Sequence, residues 1–242
     1  MIENIVFDFG YVLAYPRTGN WFLTPESKKL LTKGDLLRIV LHFNRRKRVL
    51  NLTNRHLSED HLMHTQEKEI EHFTEFYQKL LSGFGIRKNI EHKSFALAQD
   101  LVLNDERIGI YDDVLSELPG LKEHYRIAIL SDNWPSLRRL LTNYRIEEYL
   151  SGLIISSDYG ICKDNVKLFQ IAAGELSIKP ECSVFIDDSE KNLINAEQMG
   201  FLPILMDRKR KRKRENCAYP IAYNLQEIAA IVDQMNKGGS IE

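Results

Sequence analysis

The stretch SSDYGICK at 156–163, followed by FQIAAGELSIKPECSVFIDDSEKNLINAEQMG at 169–200, decides the fold. Inside it Val184-Phe185-Ile186 is a short run of β-branched and aromatic residues, the pattern of a strand buried on both faces, and it ends in the acidic pair Asp187-Asp188. Leu168, Phe169, Ala172 and Leu176 recur at helical spacing before the run. Leu193, Ala196 and Met199 do so after it, with Ser189 placed to cap that helix and Gly200 to end it. Working outward, four more apolar runs read as core strands: Ile5-Val6-Phe7, Ile127 to Leu130, Leu153 to Ile155, and Pro203 to Met206. Leu137, Leu140 and Leu141 mark a further helix between two of them. Strand and helix alternate, which predicts a three-layer α/β core around a doubly wound parallel sheet.

The segment from Pro16 to Asp100 breaks the alternation, with no strand-like run. It shows instead two apolar stripes at helical spacing: Leu36, Leu37, Val40 and Leu41, then Ile70, Phe73, Tyr77, Leu80 and Leu81. The expected organisation is therefore a core of residues 1–15 and 101–242 interrupted by an all-helical cap at 16–100. The core resumes near Tyr111 with the helical stretch DDVLSELPGLKEH. An insert directly after the first strand would hang over the strand ends as a lid that excludes water.

Asp8, Ser131 and the Asp187-Asp188 pair each follow one of the apolar runs, so they lie at strand ends. In an open parallel sheet the carboxyl ends of the strands meet at one crevice, where distant residues converge on one ligand. Singly these residues carry little. An Asp after a strand is ordinarily a turn or cap residue, and Lys163 alone reads as a solvated lysine. Two adjacent acids at a strand end, however, repel unless a cation sits with them, which favours a metal.

Asp8 in IVFDFGYVL, Ser131 in IAILSDNW, Lys163 in DYGICKDNVKLF and Asp187-Asp188 in SVFIDDSEKN, in this order and spacing, resemble the haloacid dehalogenase superfamily of hydrolases, in the branch with a helical cap after the first strand. The resemblance covers essentially the whole chain. It implies an Mg²⁺-dependent phosphatase in which Asp8 attacks phosphorus to give an aspartyl-phosphate. It further implies that Mg²⁺ is held by Asp8, the Gly10 carbonyl, Asp187 and Asp188, hard oxygen donors suited to that ion. Ser131 and the backbone at Asp132 and Asn133 would grip the phosphoryl oxygens, and Lys163 would balance charge and orient the nucleophile. The implied partner is a small phosphorylated metabolite.

The pattern departs from the family at three places. Where its phosphatases carry a second aspartate two positions after the nucleophile, this chain has Gly10. Loss of a general acid or base typically costs roughly 10² to 10⁴ in rate. A leaving group of low pKa, such as an anomeric or acyl phosphate, would need little protonation. Asp132 stands where asparagine is common, and Asp164 replaces a proline. Two alternatives stay open: a pseudoenzyme that binds phosphate without turnover, and a metal-free carbon-halogen hydrolase. The acidic pair weighs against the second.

Among 242 residues, 33 Lys and Arg face 34 Asp and Glu, so global charge points to neither nucleic acid nor an anionic membrane. Three cysteines (Cys162, Cys182, Cys217) without CxxC spacing read as incidental thiols in a reducing compartment. With no signal peptide or apolar span, a cytoplasmic protein with no membrane partner is expected. The run RKRKRKR from Arg208 to Arg214 reads as an exposed loop held open by self-repulsion, in preference to a nucleic-acid surface. The basic cluster Arg45 to Arg48 reads as a solvated helix face. His56, His61, His64 and His72 all fall in the lid; His61 and His64 stand one helical turn apart but lack a partner set for a metal. Tyr11, Trp21, Phe22 and Trp134 flank the motifs and read first as packing residues. The tail at Gly238-Gly239-Ser240 is expected to fray.

Overall fold

The computed structural model describes residues 1–22, 24–42, 44, 47, 49, 51, 62–212 and 217–237. Eight strands are present among them: β1 (Asn4–Phe7), β2 (Ala14–Pro16), β3 (Ile108–Ile110), β4 (Arg126–Ser131), β5 (Gly152–Ile155), β6 (Ser183–Asp187), β7 (Leu202–Met206) and β8 (Ile221–Ala222). Six form one sheet in the order β5-β4-β1-β6-β7-β8, every neighbouring pair parallel. The five expected core strands are all in it, and β8 extends it. The two-residue β8 was missed because so short an element has no periodicity to read.

β1 is central, so the chain leaves it toward β4 and β5 on one side and toward β6 and β7 on the other. The crevice at its carboxyl end is the topological switch point. β2 and β3 form a separate antiparallel pair in which Pro16 pairs with Ile108, so the expectation of no strand from Pro16 onward fails at its first residue. Proline is tolerated there because the pair has only edges.

Strand alternation sorts the core into two layers. Ile5, Phe7, Ile127, Ile129, Val184 and Ile186 pack with α5 (Asp112–His124), α6 (Ser136–Asn143) and α9 (Leu225–Asn236). Val6, Ala128, Leu130, Phe185 and Leu205 pack with α7 (Lys167–Glu175) and α8 (Glu190–Gln198). Each fully buried large side chain contributes about 1.5 to 3 kcal/mol. Gly200 ends α8 at φ +89°, a conformation that favours glycine. Ser189 does occupy the capping position, but its hydroxyl makes no capping bond. The Asp187 carboxylate accepts from the Ser189 amide at 2.8 Å instead, an ionised acceptor being stronger than a hydroxyl.

The cap is helical: α1 (Pro25–Lys29), α2 (Lys33–Leu41), α3 (Gln66–Gly83) and α4 (Ile90–Leu103). α3 and α4 bury Phe73, Phe76, Tyr77, Leu80 and Leu81 against Leu97, Ala98, Leu101 and Val102. The other expected stripe fails. Leu36, Leu37, Val40 and Leu41 are exposed. α2 is instead turned inward through Asp35, whose carboxylate meets Lys93 Nζ at 2.5 Å, and through Ile39 one turn on. An ion pair with both partners buried has to be kept closed, and it sets the helix rotation.

Among the described residues no helix is long and apolar enough to cross a membrane. His56, His61, Arg45, Arg46, Arg48, Arg214 and the Gly238–Ser240 tail lie outside the described residues. His64 faces Asp158 at 3.7 Å. The three cysteines are half-buried.

Candidate active site at the strand ends

Asp8 continues β1 at the carboxyl edge, its amide donating to the Ile186 carbonyl at 2.8 Å. The loop after it closes on itself: Tyr11 donates to the Ala14 carbonyl, while Leu13 and Ala14 donate to that of Phe9. The turn puts Tyr11 at φ +56°, a left-handed conformation that costs a non-glycine residue about 1 to 2 kcal/mol. Strain of this kind collects where a loop is held for function.

Lys163 comes from the β5–α7 connection and lies beneath Asp8 at 1% exposure. Its Nζ stands 2.8 Å from Asp8 Oδ1 and 2.6 Å from Asp187 Oδ2. Burial alone would discharge this amine, but Asp187, Asp8 and Asp132 outweigh it and hold the ammonium protonated. For Asp8 burial is the largest influence and raises its pKa; Lys163 opposes that, Asp187 adds to it, and hydrogen bonds from Lys163 and Ser131 pull it down. The net direction is upward. The Asp188 carboxyl is pushed up to about 6, by burial first and then by the charge on Asp187.

The two adjacent acids are not equivalent. Asp187 is fully buried and its oxygens are taken: Oδ1 by the Ser189 amide, Oδ2 by Lys163, and both by the Asn192 side chain. Asp188 lines the cleft. Ligand atoms of Asp8, Asp187 and Asp188 lie within 4.8 Å of one another. Three carboxylates so close repel, and all three offer hard oxygen. The donor set therefore fits a small divalent cation such as Mg²⁺.

Ser131 ends β4, and Asp132 and Asn133 follow it around the same cleft. The Asp132 carboxylate accepts from the Lys163 amide at 2.8 Å, so the side chain that stands where asparagine is common serves to hold the lysine loop. Burial raises its pKa and Lys163 lowers it, with a net rise. Asn133 Oδ1 accepts from the Trp134 amide, which shapes the turn into α6. Asn195, unnoticed in the sequence, donates to the Lys163 carbonyl at 2.9 Å. Asp164 is exposed and faces Lys191 at 3.6 Å, away from these groups. Gly10 has room for a side chain: an added Cβ would meet Trp21 Cζ2 at 3.8 Å and Asp8 Oδ2 at 4.0 Å, ordinary contacts.

The cleft measures about 270 Å³, and its upper wall comes from the cap and linkers. Tyr11, Trp21, Phe22 and Trp134 all line it, so the pocket role open to them prevails over the packing role read first. Two further residues were missed in the sequence, Glu69 and Arg107. Glu69 on α3 reaches the start of α6, where Ser136 donates to it from its amide at 2.8 Å and its hydroxyl at 2.6 Å. Burial pushes this carboxyl up to about 7 against the pull of Ser136, Arg107 and Arg139. Arg107 donates to the Trp21 carbonyl at 2.8 Å. No local signal marks either residue, because the partners are 67 and 86 positions away.

The basic run also departs from expectation. Arg208 and Arg212 are half-buried and tied down, while Lys209, Arg210 and Lys211 between them are exposed as expected. Arg208 donates to the Val12 carbonyl from Nε and Nη2 and pairs with Asp113 at 2.6 Å, while Arg212 faces Glu190 at 3.2 Å. Carboxylates contributed by other elements overcome the self-repulsion.

Comparison with known proteins agrees with this architecture. The chain resembles a 2-haloacid dehalogenase from Pseudomonas syringae pv. Tomato, with a TM-score of 0.65 and 15% identity over 97% of this chain and 100% of that one. It resembles a HAD phosphatase from Thermococcus onnurineus at 0.58 and 18% over 96% and 98%. A haloacid dehalogenase-like family hydrolase from Xanthomonas campestris superposes at 0.70 and 9% over 98% and 93%. At such identities the likeness speaks for the fold. A search of curated protein sequences found no match. The family model described as haloacid dehalogenase-like hydrolase matches residues 42–205, more than half of the sequence. With that match, the six-stranded sheet and the helical cap, the chain belongs to the haloacid dehalogenase-like hydrolases.

Proposed function

We propose that this hydrolase is an Mg²⁺-dependent phosphatase of a small phosphorylated metabolite. The observation that carries the proposal is the approach of the Asp8, Asp187 and Asp188 carboxylates within 4.8 Å of one another, with Lys163 bonded to two of them. A hydrolase attacking carbon needs no metal and gains little from a second acid facing the cleft, whereas an anionic phosphoryl group meets repulsion at Asp8 unless cations offset it.

Asp8 and Asp188 face the cleft and would hold the ion together with the Gly10 carbonyl, while Asp187 stands behind them. Bound there, Mg²⁺ would offset charge between the phosphoryl group and the nucleophile. Lys163 keeps an Asp8 oxygen aimed, and Asp187 keeps Lys163 in place. Ser131 and the Asp132 amide would orient the phosphoryl oxygens, while the Asn133 amide donates to the Ser156 hydroxyl at 3.1 Å and shapes the turn. Asp8 forms a bond to phosphorus as the ester P–O bond breaks, and the leaving oxygen departs with its electron pair. Water then cleaves the aspartyl-phosphate, releasing phosphate and regenerating Asp8. Gly10 supplies no proton to the leaving oxygen, so the favoured substrates are anomeric or acyl phosphates.

Gly10 also supports a second reading, a phosphate-binding protein without turnover. A panel of phosphate esters and acyl phosphates, assayed with and without Mg²⁺ on the parent and on Asp8→Asn, separates the two. Turnover that needs Mg²⁺ and falls by at least about 10³-fold in Asp8→Asn is expected. Activity indifferent to the substitution rejects the nucleophile, and inertness toward every compound selects the second reading.

A further inference from the structure

Four of the five described cations of the basic run, Arg208, Lys209, Lys211 and Arg212, line one cleft of about 350 Å³. An extended run would send alternate side chains to opposite sides. Here the chain turns: the Arg210 amide donates to the Asp207 carbonyl at 2.9 Å, Arg210 adopts φ +49°, and its guanidinium lies over the Tyr223 ring at 4.9 Å. The turn leaves the other four together.

Arg208 and Arg212 have carboxylate partners in Asp113 and Glu190. Lys209 and Lys211 have none among the described residues; Lys209 Nζ lies over the Tyr11 ring at 4.9 Å. Two acids also line the cleft. Asp207 accepts from the Arg212 amide at 2.7 Å, and Asp188 belongs to the acidic triad. Tyr11 and Asp188 line both this cleft and the catalytic one, so the two meet at those residues. Four cations lining one cleft repel, and a bound anion relieves the repulsion.

We infer that this cleft is a second anion subsite and that the substrate is a small organic molecule bearing two phosphoryl groups, one presented to Asp8 and the other held by Lys209 and Lys211. The inference rests on the phosphatase reading and narrows its substrate class. Two ammoniums without a carboxylate partner, lining one open cleft, match one phosphoryl group. A nucleic acid would instead need a cation for each of several phosphates.

The test uses calorimetric binding to the full-length Asp8→Asn protein with and without the added pair Lys209→Ala and Lys211→Ala, both exposed positions. The probes are hexyl phosphate, the bisphosphates of propane-1,3-diol and hexane-1,6-diol, and a single-stranded RNA oligonucleotide, all with Mg²⁺. At least one bisphosphate should bind about tenfold more tightly than hexyl phosphate. The lysine pair should reduce that preference to within about twofold while hexyl phosphate binding stays unchanged. Equal binding of mono- and bisphosphates, before and after the lysine changes, overturns the subsite and leaves the phosphatase reading standing. Failure of every phosphate ester to bind removes the reading beneath it. Tight RNA binding that the lysine pair abolishes, without a bisphosphate preference, assigns the cleft to nucleic acid and overturns the inference.

Discussion

The floor of the candidate cleft and its roof are built by different rules. On the floor, Asp8, Ser131 and Asp187 sit at or just beyond the ends of adjacent parallel strands, so backbone pairing alone brings them within reach of one another. The roof has no such frame. Glu69 is held by Ser136, and Arg139 bonds Gln66 of the cap as well as Asp105 beside β3. A few long-range side-chain contacts do what the sheet does below. A site with a fixed base and a separately attached wall can keep its chemistry while the wall sets the substrate.

The largest expected effect breaks the floor. Lys163→Met removes the cation between Asp8 and Asp187, leaving two buried carboxylates facing each other. It should cost about 3 to 5 kcal/mol in urea unfolding and abolish turnover. Mg²⁺ should recover part of the stability and none of the activity. A loss below about 1 kcal/mol would mean that the floor is not organised around this amine.

Next in size is a gain. Gly10→Asp fills open space beside Asp8 without backbone strain. It should raise kcat about 10²-fold on alkyl phosphates, whose leaving groups need a proton, and change acetyl phosphate hydrolysis little. An equal change on both would locate its effect in binding.

Glu69→Gln probes the roof through pH. Burial lifts the Glu69 pKa from the ordinary 4.5 to about 7, so the folded protein holds this proton more tightly than the unfolded chain does. The contribution is complete below pH 4.5 and is lost as pH rises to about 7, amounting to roughly 3 kcal/mol at most. Urea midpoints at pH 5 and pH 7.5 should show a smaller fall in Glu69→Gln than in the parent. Parallel curves would show that Glu69 titrates normally. The smallest effect belongs to the exposed face of α2, where Leu37→Gln with Val40→Gln should shift stability by no more than about 0.5 kcal/mol. A larger loss would mean that this stripe is covered in solution.

Legibility in the sequence follows the same division. The five main strands were readable because a buried parallel strand is a local apolar run, and the floor residues because each follows such a run. α3 was readable from its stripe. α2 was misread because an amphipathic pattern reports that a helix has an apolar side without saying which side is docked. The Asp35–Lys93 pair, 58 positions apart, decided that. The different duties of Asp187 and Asp188 were equally hidden, since alternation along β6 sends neighbours to opposite sides only once the strand is placed in its sheet.

Residue order and hydrophobic period alone therefore determined the layered core, the inserted helices and the placing of Asp8, Ser131 and Asp187-Asp188 at strand ends, because those signals lie within one element, whereas Lys163 stood out only through the resemblance of the whole pattern to a family. Tertiary structure decided which acid faces the cleft, which aromatics line it, and that Arg208 and Arg212 are tied down at the core while the residues between them stay exposed. Each of those outcomes depends on contacts such as Arg208 with Asp113, 95 residues apart, and no local pattern encodes a partner at that distance.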